Sequence, residues 1–176
     1  MDTRKKNLAI LGSYSSTPEE SEIARELGAH LANMNLNILS GGQKKGVMYD
    51  LCKGVFEHRI SATTGATLVG ILPSTDFSQA NEFLDIAIPT GSGLQQNSVL
   101  PLSADVVLAI GGSAGTLTEI SFAWQYKKPI GLLGTTGWAQ RLANQKLDSR
   151  REDDMPHFIS VKDAIDWISG VLFRVA

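Results

Sequence analysis

The stretch ADVVLAIGGSAGTLTE, residues 104–119, holds the pattern that decides the fold. Its segment VVLAI is continuously apolar, as expected for a parallel strand that is covered on both faces. Three glycines follow within five residues, and glycine permits both a tight turn and a close approach of the main chain to a ligand. The next residues take a helical pattern. Together these features predict a strand, a turn and a helix of a parallel sheet.

The same alternation of short apolar runs and amphipathic segments extends along the chain. One predicted helix opens with Thr17-Pro18-Glu19-Glu20, which reads as a capping box with proline in the first turn. Regular β–α alternation favours a single α/β domain over residues 1–176, a Rossmann-like, doubly wound and mostly parallel sheet with helices on both faces. The seven predicted strands are 7–11, 36–40, 67–72, 85–89, 105–110, 129–133 and 157–161.

Composition excludes several classes of protein. Hydrophobic residues make up 43% and charged residues 19%, which is typical of a folded chain, and the net charge of −2 disfavours binding to nucleic acid. Apolar runs fall far short of the roughly 20 residues that cross a bilayer, so no membrane association is expected. A single cysteine, Cys52, fits a reducing cytoplasm, and the three scattered histidines show no spacing for a metal site.

Three loops with small residues leave predicted strands at the same edge of the sheet. They span residues 12–20, 40–48 and 111–119. In open parallel sheets ligands bind beyond the carboxyl ends of the strands, and glycine turns at helix N-termini favour phosphate. One such loop serves as a plain connection about as often as not, but three converging loops favour a phosphorylated, nucleotide-like ligand. The candidates in the first two loops are Gly12, Ser13, Gly41 and Gly42.

Glu119 has two interpretations. If Thr116 is an N-cap, then Thr116-x-x-Glu119 is a capping box of the same form as Thr17-x-x-Glu20, and capping alone explains the acid. If instead the acid faces a ligand at the sheet edge, it is a candidate catalytic residue. The sequence leaves both interpretations open.

Residues 111–119, GGSAGTLTE, resemble the PGGxGTxxE motif of the LOG family, which is often mislabelled "possible lysine decarboxylase", with Ile110 in place of the proline. The segments SGGQKKGVMYDLCKGV (40–55), ATLVGILP (66–73) and DIAIPTGSGLQQN (85–97) continue the similarity. They lean toward the branch that includes molybdenum-cofactor carrier proteins, a group also related to the DNA-processing protein DprA. The resemblance covers roughly residues 6–135.

LOG enzymes hydrolyse the N-glycosidic bond of nucleoside 5′-monophosphates and release the base and ribose 5-phosphate. The resemblance therefore implies that the glycine loop holds the phosphate and that Glu119 faces the ribose. A carboxylate there would stabilise the positive charge that develops on the sugar. The phosphate-binding candidates in this loop are Gly111, Gly112, Ser113, Gly115 and Thr116.

The chain departs from the enzyme pattern at Gln96. The carrier-like branch commonly reads G-x-G-x-A-R-N, whereas residues 91–97 read GSGLQQN, so Gln96 stands where arginine is expected and Asn97 is retained. Glutamine brings neither the charge nor the rigid fork of a guanidinium. The departure favours a binding or carrier protein that holds a nucleoside monophosphate or the molybdenum cofactor as cargo and needs no cofactor of its own.

Two alternative functions remain at this stage. The first is a divergent phosphoribohydrolase in which Lys44 or Lys45 replaces the missing arginine. The second is a DNA-processing partner, which the lack of a basic stripe disfavours. Lysine decarboxylation has little support.

The oligomeric state is a separate question. The family implies a homodimer or a larger homo-oligomer. Trp124 and Tyr126 on the helix 116–128 are either interface residues or core residues.

Overall fold

The computed structural model describes residues 4–61 and 63–173. Seven parallel strands form one sheet in the order β4-β3-β2-β1-β5-β6-β7, which confirms the predicted fold class. The strands are β1 (Lys6–Gly12), β2 (Leu36–Ser40), β3 (Thr67–Leu72), β4 (Ile86–Pro89), β5 (Val106–Ile110), β6 (Ile130–Leu133) and β7 (His157–Phe158).

Helices cover both faces of the sheet, because successive strand side chains point to opposite sides. The helices are α1 (Pro18–Leu31), α2 (Gly46–His58), α3 (Gln96–Leu102), α4 (Ala114–Gln125), α5 (Gly137–Arg141) and α6 (Val161–Leu172), with 3-10 turns at Phe77–Gln79 and Gly93–Gln95. In β1, Leu8 and Ile10 join the core beneath α1, α2 and α6, whereas Ala9 and Leu11 join the core beneath α3, α4 and α5.

The strand order reverses between β1 and β5. Their register pairs Gly12 with Ile110, so the loops that follow these two strands start side by side. In open α/β sheets this reversal point is where the crevice for a ligand forms. The topology therefore brings the first and third glycine loops together, as the sequence predicts.

At the opposite edge of the sheet, where the strands begin, two aspartates form ion pairs with arginines and hydrogen bonds with the main chain. Asp105 accepts hydrogen bonds from Arg4 and from the Asn7 N–H, and Asp85 accepts them from Arg59 and from the Leu68 N–H. These two acids precede β5 and β4, which each begin one residue later than predicted. β7 is shorter than predicted because Ser160 already caps α6.

The residues at which α1 and α4 begin confirm one predicted capping box and contradict the other. Thr17 and Glu20 form the predicted capping box of α1. The Thr116 capping box is wrong: α4 begins at Ala114 with Ser113 as its N-cap, and Thr116 lies buried inside the helix. The reason is that Gly111 and Gly112 both take positive φ values, so the chain turns within two residues and the helix starts early.

Trp124 is a core residue. Its side chain is fully buried, its indole N–H donates to Asp148, and Arg151 lies over its ring, so an interface role for Trp124 is wrong. Tyr126 is partly buried and stacks on Phe122. Among the helices of the described chain, none is long and apolar enough to cross a membrane.

Candidate functional site

A cavity of about 260 Å³ opens at the carboxyl ends of β1 and β5. It lies between the loop after β1, the start of α3 and the first turns of α4. The three segments come from distant parts of the chain and meet because the strand order reverses there. Seven of the predicted site residues line it: Gly12, Gln96, Asn97, Ser113, Gly115, Thr116 and Glu119.

Gly111 and Gly112 make their contacts with protein groups. The Gly112 N–H donates to the Ser13 hydroxyl at 3.0 Å, and the Gly111 carbonyl accepts from the Ala139 N–H at 2.8 Å. A side chain on Gly111 would overlap the carboxylate of Glu20, which also accepts a hydrogen bond from Thr136. These contacts shape the turn that leads the chain from β5 into α4.

The first turn of α4 faces the cavity without a cap. The Ser113 side chain makes no capping hydrogen bond, and Gly115 has open space where a side chain would be. The first N–H groups of a helix lack intrahelical acceptors and carry partial positive charge. At this point the described chain therefore offers main-chain donors to an anion that approaches along Gly115.

Glu119 lies one helical turn beyond these donors. The residue is 8% exposed, and within the described chain no hydrogen bond to its carboxyl group offsets this burial. Burial disfavours its charged form and raises its pKa from 4.5 to about 8. At neutral pH the acid is therefore mostly protonated and can donate a hydrogen bond.

Gln96 is the first residue of α3 and is 6% exposed. Its Oε1 is buried and has no hydrogen-bond partner among the described residues. Gly41 lies against the amide, since a side chain at residue 41 would come within 3.1 Å of Gln96 Nε2. An uncharged amide thus lines the same cavity as Glu119, at the place where the family resemblance implies arginine.

The second glycine loop lies beside the cavity. Gly42 has a φ of 67°, its N–H donates to the Ser40 hydroxyl, and a side chain on it would overlap Gly70 Cα. Lys44 and Lys45 line a neighbouring cavity instead of the one that holds Glu119. Gly42 therefore shapes the loop, and the two lysines face a different space.

Sequence reasoning missed Tyr14 and Gln43, which line both cavities. Tyr14 follows Ser13 directly and is about half exposed. A large aromatic residue in a loop at the ligand edge is a signal that could have found it. Gln43 carries no comparable signal, because polar residues are common in such loops.

A larger groove of about 550 Å³ lies elsewhere, between α1 and the end of α2. Charged residues of α1 line it, and Arg25 there pairs with Asp50. None of the predicted site residues reaches this groove. In the described chain no group of three His, Cys, Asp or Glu side chains could hold a metal ion.

A family model described as the SLOG cluster4 family matches residues 5–165. The chain belongs to this family. The match includes all the residues that line the cavity, and it confirms the resemblance drawn from the glycine motif.

Two solved structures resemble the whole described fold. The molybdenum cofactor binding protein of Rippkaea orientalis superposes with a TM-score of 0.83 at 29% identity, covering 97% of this chain and 99% of that one. The molybdenum cofactor carrier protein of Chlamydomonas reinhardtii gives a TM-score of 0.82 at 29% identity, covering 97% of this chain and 100% of that one. Similarity to the carrier branch is thus confirmed.

More distant likenesses connect the chain to the two other groups. The probable cytokinin riboside 5′-monophosphate phosphoribohydrolase LOG4 of Oryza sativa is 28% identical over 133 residues, which are 71% of this chain and 55% of the rice protein. The chain thus matches little more than half the length of that relative. DNA processing protein A of Helicobacter pylori shares the fold alone, with a TM-score of 0.64 at 18% identity over 93% of this chain and 80% of that one.

Proposed function

We propose that this protein binds a phosphorylated, nucleotide-like ligand in the cavity beside Gly115 and holds it without turnover. The ligand is a nucleoside 5′-monophosphate or a pterin phosphate such as the molybdenum cofactor. The similarity to a cofactor binding protein and a cofactor carrier protein supports the second choice. The uncapped first turn of α4 supports a phosphoryl group as the part that is recognised.

The observation that carries the proposal is that Glu119 and Gln96 line the same cavity. Stabilising positive charge on a ribose requires a carboxylate, but burial raises the pKa of Glu119 to about 8. A phosphoryl group nearby would raise that pKa further, since like charges disfavour ionisation. Gln96 supplies no positive charge to oppose this effect. The cavity thus provides donors for a ligand, and its acid stays protonated.

Binding is tested by calorimetric titration of AMP and of a pterin monophosphate into the protein and its Gly115→Ala variant. The added methyl group projects where a phosphoryl group would lie, so we expect affinity to fall by about tenfold or more. Gly170→Ala is the matched control, because Gly170 also lies in a helix with open space around it, far from the cavity. Equal affinity of both variants for AMP and the pterin would place the phosphoryl group elsewhere and contradict the proposal.

Turnover is tested by chromatography of free base after incubation with a panel of nucleoside monophosphates. We expect no release above that of buffer alone. Rapid release that disappears in Glu119→Gln, a variant that keeps the shape of the side chain, would overturn the carrier function.

That result would support a second candidate, a phosphoribohydrolase of the type named for the rice relative. The position of Glu119, one turn from the uncapped helix start, favours it. In that case the missing cation would come from the second loop, and Lys45→Ala would lower turnover. If no monophosphate is hydrolysed, this candidate fails.

A further inference from the structure

A second cavity adjoins the first. It measures about 430 Å³, and its walls come from Tyr14 of the first loop, from the second loop and from the 3-10 turn Phe77–Gln79. Tyr14 and Gln43 line both cavities, so the two spaces are neighbours that share these side chains as walls. A ligand seated beside Gly115 therefore has the second space next to it.

The first cavity is small for a complete ligand site. Sites for small molecules commonly measure about 300–1,000 Å³, and a cavity of about 260 Å³ falls below that range. The second cavity brings the combined space well inside it. Tyr14, which is about half exposed, lines both parts, so its side chain is available to a ligand that occupies either of them.

The second cavity differs from the first in charge. Lys44 and Lys45 line it together with Ser78 and Gln79, and none of the described residues that line it is acidic. Asp76 precedes Ser78 by two residues, and its pKa is lowered chiefly by hydrogen bonds from Ser78 and less by the charge of Lys44. Two ammonium groups with hydroxyl and amide donors are suited to a phosphoryl group.

Hydrogen bonds fix the walls of this second cavity before any ligand arrives. Gln43 forms an antiparallel bridge with Ala80, and the Asn81 N–H donates to the Gly42 carbonyl at 2.9 Å. Asp76 accepts from the Ser78 N–H and so caps the 3-10 turn. The second loop and residues 76–81 are thus held together, which lowers the entropy cost of binding between them.

We propose that the second cavity binds the second phosphoryl group of a pyrophosphate-containing ligand, a nucleoside diphosphate or a dinucleotide, through Lys44 and Lys45. The inference rests on the proposed function, because it takes the first phosphoryl group to lie beside Gly115. It adds that the full ligand is longer than a nucleoside monophosphate. Tyr14 then lies along the ligand between the two cavities.

The test is calorimetric titration of AMP, ADP and NAD into the wild-type protein and into the double variant Lys44→Ala/Lys45→Ala. We expect ADP to bind about tenfold or more tightly than AMP, and the double variant to bind ADP no more tightly than AMP. AMP affinity should fall less than ADP affinity in the variant, because the two ammonium groups would contact the second phosphoryl group of ADP but act on AMP only from the neighbouring cavity. The double variant Lys146→Ala/Lys162→Ala is the control, because it removes two surface ammonium groups elsewhere.

The outcomes separate this inference from the function on which it rests. Equal binding of AMP and ADP to the wild-type protein would overturn the second cavity's role and leave the first site standing. A preference for ADP that survives in the Lys44/Lys45 variant would likewise overturn it. Failure of all three nucleotides and of the pterin monophosphate to bind would overturn the proposed function itself. NAD binding as tight as ADP would support a bridging pyrophosphate, and NAD binding weaker than ADP would support a terminal one.

Discussion

At the amino ends of the strands, Asp85 and Asp105 each accept hydrogen bonds from an arginine and a main-chain N–H, whereas at the carboxyl ends Glu119 lies buried beside Gln96 without such partners. Buried or half-buried acids in this fold thus occur in two environments, one with hydrogen-bond donors and one without them. Paired acids join strands and stabilise the fold. An unpaired acid costs stability, which makes it a candidate for function.

The pKa values point in opposite directions at the two ends. Hydrogen bonds from Arg4 hold the pKa of Asp105 below its usual value, and hydrogen bonds from Arg59 and Leu68 outweigh burial to do the same for Asp85. Burial raises the pKa of Glu119 to about 8. Folding therefore favours the charged form of the first two acids and the protonated form of the third.

The largest expected effect is that of Glu119→Gln at high pH. The folded state binds the Glu119 proton more tightly than the unfolded state does, so stability falls as pH rises from about 4.5 through about 8. Glutamine cannot ionise, so the variant should exceed the wild type by about 5 kcal/mol at pH 9 and match it near pH 4. Urea denaturation at the two pH values measures the difference.

Glu57→Gln is the control for that experiment, since Glu57 is an exposed partner of Lys53 and its loss should change stability little at either pH. A pH-independent difference between wild type and Glu119→Gln would show that Glu119 does not change its protonation on folding. The contrast between the two ends of the strands would then fail.

The next effect in size is that of Arg59→Met. The Arg59 side chain is only 8% exposed, and it donates both to Asp85, which is 25% exposed, and to the Ala66 carbonyl. Removing the guanidinium therefore leaves two acceptors without a partner that is shielded from water. We expect a loss of about 2 kcal/mol in the free energy of unfolding at pH 7, below the usual cost because Asp85 keeps some contact with water. The loss should shrink as pH falls from 3.8 through the lowered pKa of folded Asp85, because below that pKa the acid is protonated in both states. A variant as stable as the wild type at pH 7 would show that this pair does not stabilise the sheet.

Much of the fold could be predicted from the sequence because its signals are local. Continuous apolar runs such as VVLAI mark buried parallel strands, and β5 occupies 106–110 almost as predicted. The capping box of Thr17 and Glu20 fixes the start of α1 by its own side chains. The order of the strands brings the predicted loops together without further information.

The candidate site was harder to predict because its properties depend on contacts across the chain. The sequence indicates Gly111 and Gly112 as ligand-binding residues, but only the fold shows them against Glu20 and Ser13. It offers a capping role for Glu119, and only the packing of α3 on α4 shows an acid enclosed beside Gln96. The contacts of the two glycines and the environment of Glu119 depend on burial and on residues distant in sequence, and a local sequence pattern predicts neither.

The smallest expected effect is that of Arg4→Met, which sharpens the comparison within the amino ends. Arg4 hydrogen-bonds Asp105 as Arg59 does Asp85, but the Arg4 side chain is 51% exposed and its charge is screened by water and salt. We expect a loss of no more than about 0.5 kcal/mol at pH 7, one that diminishes further in high salt. Side-by-side urea denaturation of Arg4→Met and Arg59→Met measures how far burial, rather than the number of hydrogen bonds, sets the contribution of each pair. Equal losses in the two variants would contradict that explanation and would mean that the hydrogen bonds to Asp105 stabilise the sheet despite their exposure.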